Sequence, residues 1–313
     1  ERDTFYLDLR NSKYTSYPAG LYNSTTNGYS ITWTRMGPGS TIKNCVFTAG
    51  NQYEGGRGIL LTHAVGTQST PVEVAYNKIS SHNGPNTEYG SDYNCVAVKF
   101  RQHNTGVWFH HNSLTVTADT TTTLGATSYL PAGVALWLEP SYTWDGTNFS
   151  PYYLTIENNA CSAKVITNVN RSSYNVAAVN FETLQILDPT ITWRNNTIYS
   201  EGNYAYDFGQ FDGTGNHLRL VGDTVTLISN NLPRKLTFNL GDNRGCFDNW
   251  ATDFFFKSPT TFSIGHYDQG NATYSGTQDI KIRRTLSIYV KGNDGDPVVN
   301  ASVSVRNAYN QTV

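Results

Sequence analysis

The chain has 313 residues and a formal net charge of -2, with only 15% charged but 13% aromatic residues, 21 of them Tyr. It carries no basic block that could track a phosphate backbone, which argues against a nucleic-acid partner, and no apolar run long enough to cross a bilayer. Asn, Ser and Thr fill the polar positions, a balance that favours strands and turns, because β-branched and aromatic side chains suit pleated surfaces while Asn and Ser bond nearby backbone.

The text opens at ERDTFYLDLR, already strand-like, and closes at RNAYNQTV; both ends look cut from a longer precursor, and no signal peptide is visible. Residues 1–28 are expected to form capping or connecting strands. From residue 29 a short pattern recurs: apolar, two residues, Asn, one residue, apolar. It reads VAYNKI (74–79), FHHNSL (109–114), IENNAC (156–161) and WRNNTI (193–198), with IKNCVF (42–47) placing Cys45 where Asn stands and ISNNLP (228–233) spoiling the last position. The anchors fall at 45, 77, 112, 159, 196 and 231, about 35 residues apart. Between anchors lies a second strand of period two: GILLTH (58–63), VAVKFR (96–101), VALWLE (134–139), AAVNFE (177–182) and YAYDFG (204–209). Its inward set is Ile59, Leu61, Val98, Phe100, Leu136, Leu138, Val179, Phe181, Tyr206 and Phe208.

One such coil cannot bury its apolar face alone, but stacked coils make a continuous core and pair each backbone with the next. The recurring Asn then sits at a corner, where it tolerates left-handed dihedrals and its amide reaches the coils above and below. The I-x-N-N-x-I pattern and the alternating second strand resemble the right-handed parallel β-helix superfamily, which includes pectate-lyase-like and NosD-like proteins and phage tailspikes. The resemblance covers residues 29–233 and implies an all-β solenoid. Its coils are long, and the excess is expected in loops at 82–94, 117–131 and 141–151, which in known members wall a binding groove. A β-sandwich is the alternative fold; it explains the alternation but not the Asn anchors.

Residues 234–283 lose the pattern and are expected to cap the helix or form an irregular β region. From 284 the text reads strand, turn, strand, and GNDGDPVVNASVSV resembles the first hairpin of the carboxypeptidase-regulatory-like β-sandwich, an Ig-like stalk unit. Asp294 and Asp296 beside Gly295 suit a turn.

Aligning the second strands stacks Leu60, Lys99, Trp137, Asn180 and Asp207 in one outward column and Thr62, Arg101, Glu139, Glu182 and Gly209 in the next. On coils about 4.8 Å apart, Glu139 and Glu182 would form a carboxylate pair near Arg101, the arrangement that glycoside hydrolysis or uronate proton abstraction needs. Trp137, Lys99, Asn180 and Asp207 would form a carbohydrate-binding surface. A solvated or interface face explains both columns as well, and the aspartate clusters of pectin-degrading members are lacking.

Cys45, Cys95, Cys161 and Cys246 are widely spaced with no Cys-x-x-Cys, so zinc is unsupported; buried thiols are expected, with a Cys45–Cys95 disulfide on neighbouring coils as the alternative. His110 and His111 precede an anchor, and the alignment puts His111 in an outward column with Tyr76, Asn158 and Asn195. Ordinary corner histidines explain them, and no metal or cofactor is assigned. Asp242, Asp248 and Asp253 offer oxygen ligands without a calcium-loop pattern. Glycosylation sequons begin at Asn23, Asn148, Asn170, Asn195, Asn271, Asn300 and Asn310. Three functions follow as expectations: a structural module of an extracellular, cell-surface or virion assembly such as a sheath, filament or spike, working as an oligomer; a glycan-binding adhesin or receptor-binding protein; or a polysaccharide lyase or hydrolase.

Overall fold

A computed structural model describes residues 4–8, 31–34, 36–51, 57–62, 64–83, 95–101, 104–119, 133–139, 153–166, 176–181, 191–208, 218–228, 235–240, 249–265, 280–300, 302 and 304. The chain divides into two compact units, Glu1–Arg283 and Arg284–Val313.

The first unit is a parallel β-helix of three eight-stranded sheets. Sheet A stacks Thr4–Asp8, Val46–Asn51, Lys78–Asn83, Ser113–Asp119, Ala160–Ile166, Thr197–Ser200, Thr224–Leu227 and Phe255–Phe256. Sheet B stacks Ile31–Thr34, Arg57–Thr62, Cys95–Arg101, Gly133–Glu139, Val176–Phe181, Tyr204–Phe208, Leu236–Asn239 and Ile264–Gly265. Sheet C stacks Thr41–Lys43, Val72–Ala75, Val107–His110, Leu154–Glu157, Ile191–Arg194, Arg219–Val221, Asn249–Thr252 and Ile280–Arg283. The chain runs from sheet C through a sharp corner into sheet A and on to sheet B, so each coil has three strands where the sequence pattern isolates two.

The corner explains the repeat. Its first residue takes a left-handed φ on successive coils at Asn44, Tyr76, His111, Asn158, Asn195, Gly222 and Asp253. Asn tolerates that region best among residues with side chains. At Gly222 a Cβ would stand 2.4 Å from Asn195 Oδ1, so a side chain there would also require the exposed Asn195 side chain to turn away. The next residue forms a buried ladder. Asn77 Oδ1 accepts the Cys45 N–H at 3.0 Å, Asn112 Oδ1 accepts from Asn77 N and Nδ2 at 3.1 and 2.9 Å, and Asn159 Oδ1 accepts from Asn112 N and Nδ2 at 3.0 and 3.1 Å. Asn196 Oδ1 then accepts from Asn159 N and Nδ2 at 2.9 and 3.1 Å. The next rung is Asp223, whose Oδ1 accepts the Asn196 N–H at 2.7 Å. Asp223 in LVGDTV thus takes the place that ISNNLP suggests for Asn231, which lies outside the described residues. The correction has a simple cause: this coil advances only 27 residues and substitutes a carboxylate for the amide.

Parallel pairing does not stop at residue 233; Leu236–Asn239, Asn249–Thr252 and Ile280–Arg283 extend sheets B and C, while the corner residues beyond Asn196 are Asp223 and Phe254 and no longer spell the pattern. The core is continuous. All ten inward residues of sheet B are at most 1% exposed, and aromatic rings stack along it, Phe181 on Phe208 at 5.2 Å and Tyr206 on Phe238 at 5.0 Å. Cys45, Cys95 and Cys161 are free thiols, so the Cys45–Cys95 disulfide does not form; Cys45 sits at the corner with its Sγ 3.2 Å from the Lys43 carbonyl, whereas Cys95 opens a strand of sheet B. Cys246 lies outside the described residues.

The second unit holds a reversal in which Lys291 bridges Pro297 and Gly292 N–H donates to Asp296 O at 2.8 Å. Asp294 Oδ1 accepts the Asp296 N–H at 3.1 Å and Gly295 takes φ 87, the turn that the Asp-Gly-Asp text implies.

Candidate functional site

Sheet B carries the outward column in the expected register: Leu60 pairs Lys99, Lys99 pairs Trp137, Trp137 pairs Asn180, Asn180 pairs Asp207, and Asp207 pairs Asn239. Its exposure is the surprise. Lys99 is 8%, Asn180 7% and Asp207 3% accessible, so both faces of this sheet are covered within the chain. Period-two strands distinguish two faces but do not say what lies over the outer one. The Lys99 ammonium rests over the Trp137 indole, 3.4 Å from the ring centroid, so one indole face is already occupied by a cation. Asp207 grips two amides, accepting from Asn180 Nδ2 at 3.2 Å and Asn239 Nδ2 at 2.8 Å. That leaves Asn180 Oδ1 for the side away from Asp207, the side of Trp137. Asn180 Oδ1 and Trp137 Nε1 are buried and have no hydrogen-bond partner among the described residues, an acceptor and a donor on adjacent coils. In the neighbouring column Arg101 pairs Thr62 on one side and Glu139 on the other along the backbone. Glu182 lies outside the described residues, so the carboxylate pair is not on view.

Sheet C holds a polar network that the sequence reading passed over. Two and four residues before each corner Asn, the outward side chains link coil to coil. Glu73 bonds Lys43 Nζ at 2.5 Å through Oε2 and His110 Nε2 at 3.0 Å through Oε1. Desolvation pushes the Glu73 carboxyl up, but the hydrogen bonds from Lys43 and His110 and their charges outweigh it, and the group is held below the usual carboxylate range. Trp108 lies flat on His110, centroids 3.9 Å apart, and donates its Nε1–H to Glu157 Oε1 at 2.7 Å. Arg194 Nε closes on the other Glu157 oxygen. Burial raises Glu157 while Arg194 and Trp108 lower it, and the net direction is down. His110 and His111 touch through their Nδ1 atoms at 2.8 Å, and Tyr76 stacks on His111 at 5.0 Å. His111 shares the left-handed corner column with Tyr76, Asn158 and Asn195, as the alignment suggests. The signal was present two residues before the first five anchors, where Lys43, His110, Glu157 and Arg194 are all ionisable and only Ala75 is not.

Behind the corner, Asp223 ends the Asn ladder. Its Oδ2 accepts from Trp193 Nε1 and from Tyr206 OH, each at 2.5 Å. Burial pushes the carboxyl up to about 6 against those bonds and the one from Asn196, and burial with the nearby Asp223 charge drives the Tyr206 hydroxyl well above its ordinary value. Lys235 donates to the Glu201 carbonyl at 2.6 Å, and burial lowers its ammonium to about 7.

Asn195 and Asn300 are exposed, each with a left-handed φ. Asn23, Asn148, Asn170, Asn271 and Asn310 lie outside the described residues, as do Asp242 and Asp248 of the acidic trio. Among the described residues no three His, Cys, Asp or Glu side chains gather around a common metal position, and no helix is long and apolar enough to cross a membrane. No family model, no curated protein and no solved structure matches this chain.

Proposed function

We propose that the chain is a structural module of an extracellular or virion surface assembly, built by copies that associate with one another. The observation that carries this reading is the open last coil. Phe255 is 59%, Phe262 41%, Ile264 40% and Ile282 38% exposed. Ile264 and Ile282 pair with Phe238 and Ala251, both fully buried, so they continue the core columns, and among the described residues of the first unit no further strand pairs with theirs. Exposed apolar patches mark association surfaces, and unpaired parallel edges are templates for another strand. The second unit adds to this: Leu286, Tyr289 and Val299 are 67%, 85% and 82% exposed, and a reversal closed by a single bridge does not bury such side chains alone. Sedimentation of the chain over a wide concentration range, with electron microscopy of the native particle, tests the reading. Self-association that Ile264→Asp with Ile282→Asp abolishes is the expected result. A monomer at every concentration, with no repeating array on the particle, overturns it.

A second reading is glycan recognition at sheet B, which requires the cover over this face to move aside and expose Trp137 Nε1 and Asn180 Oδ1, both buried and without a hydrogen-bond partner among the described residues. A single hydroxyl can accept from the first and donate to the second, and sugars present hydroxyls in number. The indole N–H resonance of Trp137, assigned through Trp137→Phe, is expected to shift saturably with one of a panel of neutral and uronate hexasaccharides. No shift with any of them, together with a bound water in that place, removes the reading.

A further inference from the structure

We infer that the outer face of sheet C at its last coils docks an extended acidic peptide of a partner protein, an assignment independent of the assembly and glycan readings. The residues that carry it are Arg219, Trp250 and Arg283. Arg219 pairs with Trp250 from the coil before, and Arg283 lies on the coil after, paired with Thr252. Their guanidinium carbons stand 3.8 and 3.1 Å from the Trp250 ring centroid. Approached from both sides along the axis, the indole carries one cation on each face, and the two cations sit roughly 7 Å apart. Lys281 continues the same column one coil on and is exposed.

The charge on this sheet is segregated. Its carboxylates, Glu73 and Glu157, lie on earlier strands and are already bonded to Lys43, His110 and Arg194. The last three strands hold Arg219, Lys281 and Arg283 and no carboxylate; Asp253 stands at the corner after Thr252. A chain of net charge -2 thus gathers three cations on one small face. Like charges held this close repel, and an anion bridging them removes the repulsion. A guanidinium on a ring uses its flat face there, while its N–H groups lie in its own plane and point outward. Arg219 gives one of them to the Leu218 carbonyl at 3.3 Å. Arg283 is exposed, and its guanidinium makes no hydrogen bond among the described residues.

The geometry selects the partner. In an extended peptide, residues i and i+2 face the same way and stand roughly 6.5–7 Å apart, which matches the separation of the two guanidiniums. Carboxylates at alternate positions each meet a fork of N–H donors. Both indole faces are covered, so neither a nucleic-acid base nor a sugar ring can stack on Trp250. Three cations on coils about 4.8 Å apart also fall short of the row of contacts that holds a phosphate backbone.

Fluorescence anisotropy of labelled peptides titrated with the full chain at low ionic strength, where exposed charges are least screened, tests this. A peptide with glutamate and serine in strict alternation is expected to bind saturably. A peptide of equal length and charge, ordered as glutamate pairs and serine pairs, has no carboxylates two residues apart and is expected to bind about 10-fold more weakly. Arg219→Gln and Arg283→Gln are each expected to lower affinity for the alternating peptide about 10-fold, and the exposed Arg283→Gln to do so with an unchanged melting temperature. Lys78→Gln with Lys164→Gln removes two exposed cations from sheet A and is expected to change that affinity less than about 2-fold. No binding of the alternating peptide, equal binding of the two peptides, or equal losses in the sheet A and sheet C variants overturns the assignment. Tighter binding of dextran sulfate of matched charge gives the surface to a glycan and overturns the peptide.

Discussion

Asn159→Ala is expected to destabilise the solenoid by about 4 kcal/mol, the largest effect of any single truncation outside the apolar core. The side chain is 1% exposed and every polar atom of it is engaged. Its Oδ1 takes two donors from Asn112, and its Nδ2 donates to the carbonyls of Phe109 and Glu157 at 3.0 Å and to Asn196 Oδ1 at 3.1 Å. Removing it strands the Asn112 backbone N–H in a dry corner, and each buried polar group left unsatisfied costs roughly 1–3 kcal/mol. Asn158→Ala is the control. That neighbour is exposed, and its replacement costs only the left-handed backbone penalty of about 1 kcal/mol. Urea unfolding at constant slope measures both. A difference between the two variants below about 1 kcal/mol would mean that the ladder contributes little beyond its backbone.

The second large effect is a loss of stability as pH rises through the mildly acidic range. Asp223 ionises at about 6 in the folded chain against 3.8 for a free aspartate. A group whose folded pKa is raised leaves stability complete below the unfolded value and removes it as pH climbs through the folded one. The full span is worth roughly 3 kcal/mol, of which about 2 kcal/mol falls between pH 4.5 and 7. Glu73 and Glu157 act in the opposite sense, since their lowered values give stability that is lost only as pH falls below the ordinary carboxylate range of 4.5. Lys235, whose ammonium is lowered to about 7, begins to lose its proton in the folded state near the top of this range and from there adds stability as pH rises, opposite in sign to Asp223. The window from 4.5 to 7 therefore separates Asp223 from the two glutamates, and the comparison with Asp223→Asn subtracts whatever else titrates there. Across it the stability of the wild type should fall relative to that of Asp223→Asn by about 2 kcal/mol, read by thermal or urea unfolding. Parallel slopes in the two proteins would rule out this residue as the source. The variant is also expected to start from a lower stability, because an amide nitrogen would face the Trp193 N–H that the carboxylate now accepts.

The sequence makes some of this legible and hides the rest for physical reasons. The Asn anchors and the alternating second strand fix the register of sheet B residue for residue, because each inward side chain needs a partner directly above and below. The third strand of each coil escapes notice, since Val72–Ala75 and its equivalents are short and merge into the corner pattern. Asp223 escapes because a shorter coil and a change of side chain coincide there. The burial of Lys99, Asn180 and Asp207 cannot be read from alternation, which records a face and not its cover. The sheet C network depends on residues 37 apart for Glu73 and His110 and 49 apart for Trp108 and Glu157, and it becomes visible only when coils of unequal length are laid over one another.

The corner ladder has a consequence for how such a chain can change in length. Asn77, Asn112, Asn159 and Asn196 each present the same acceptor to one side and the same donors to the other. Any interior rung can therefore follow any other, although the intervals between them are 35, 47 and 37 residues. A cut from one anchor to the next removes a whole turn and rejoins matching surfaces. The coil is thus a unit of duplication and deletion, and the bulk of each loop is free to vary without altering the joint.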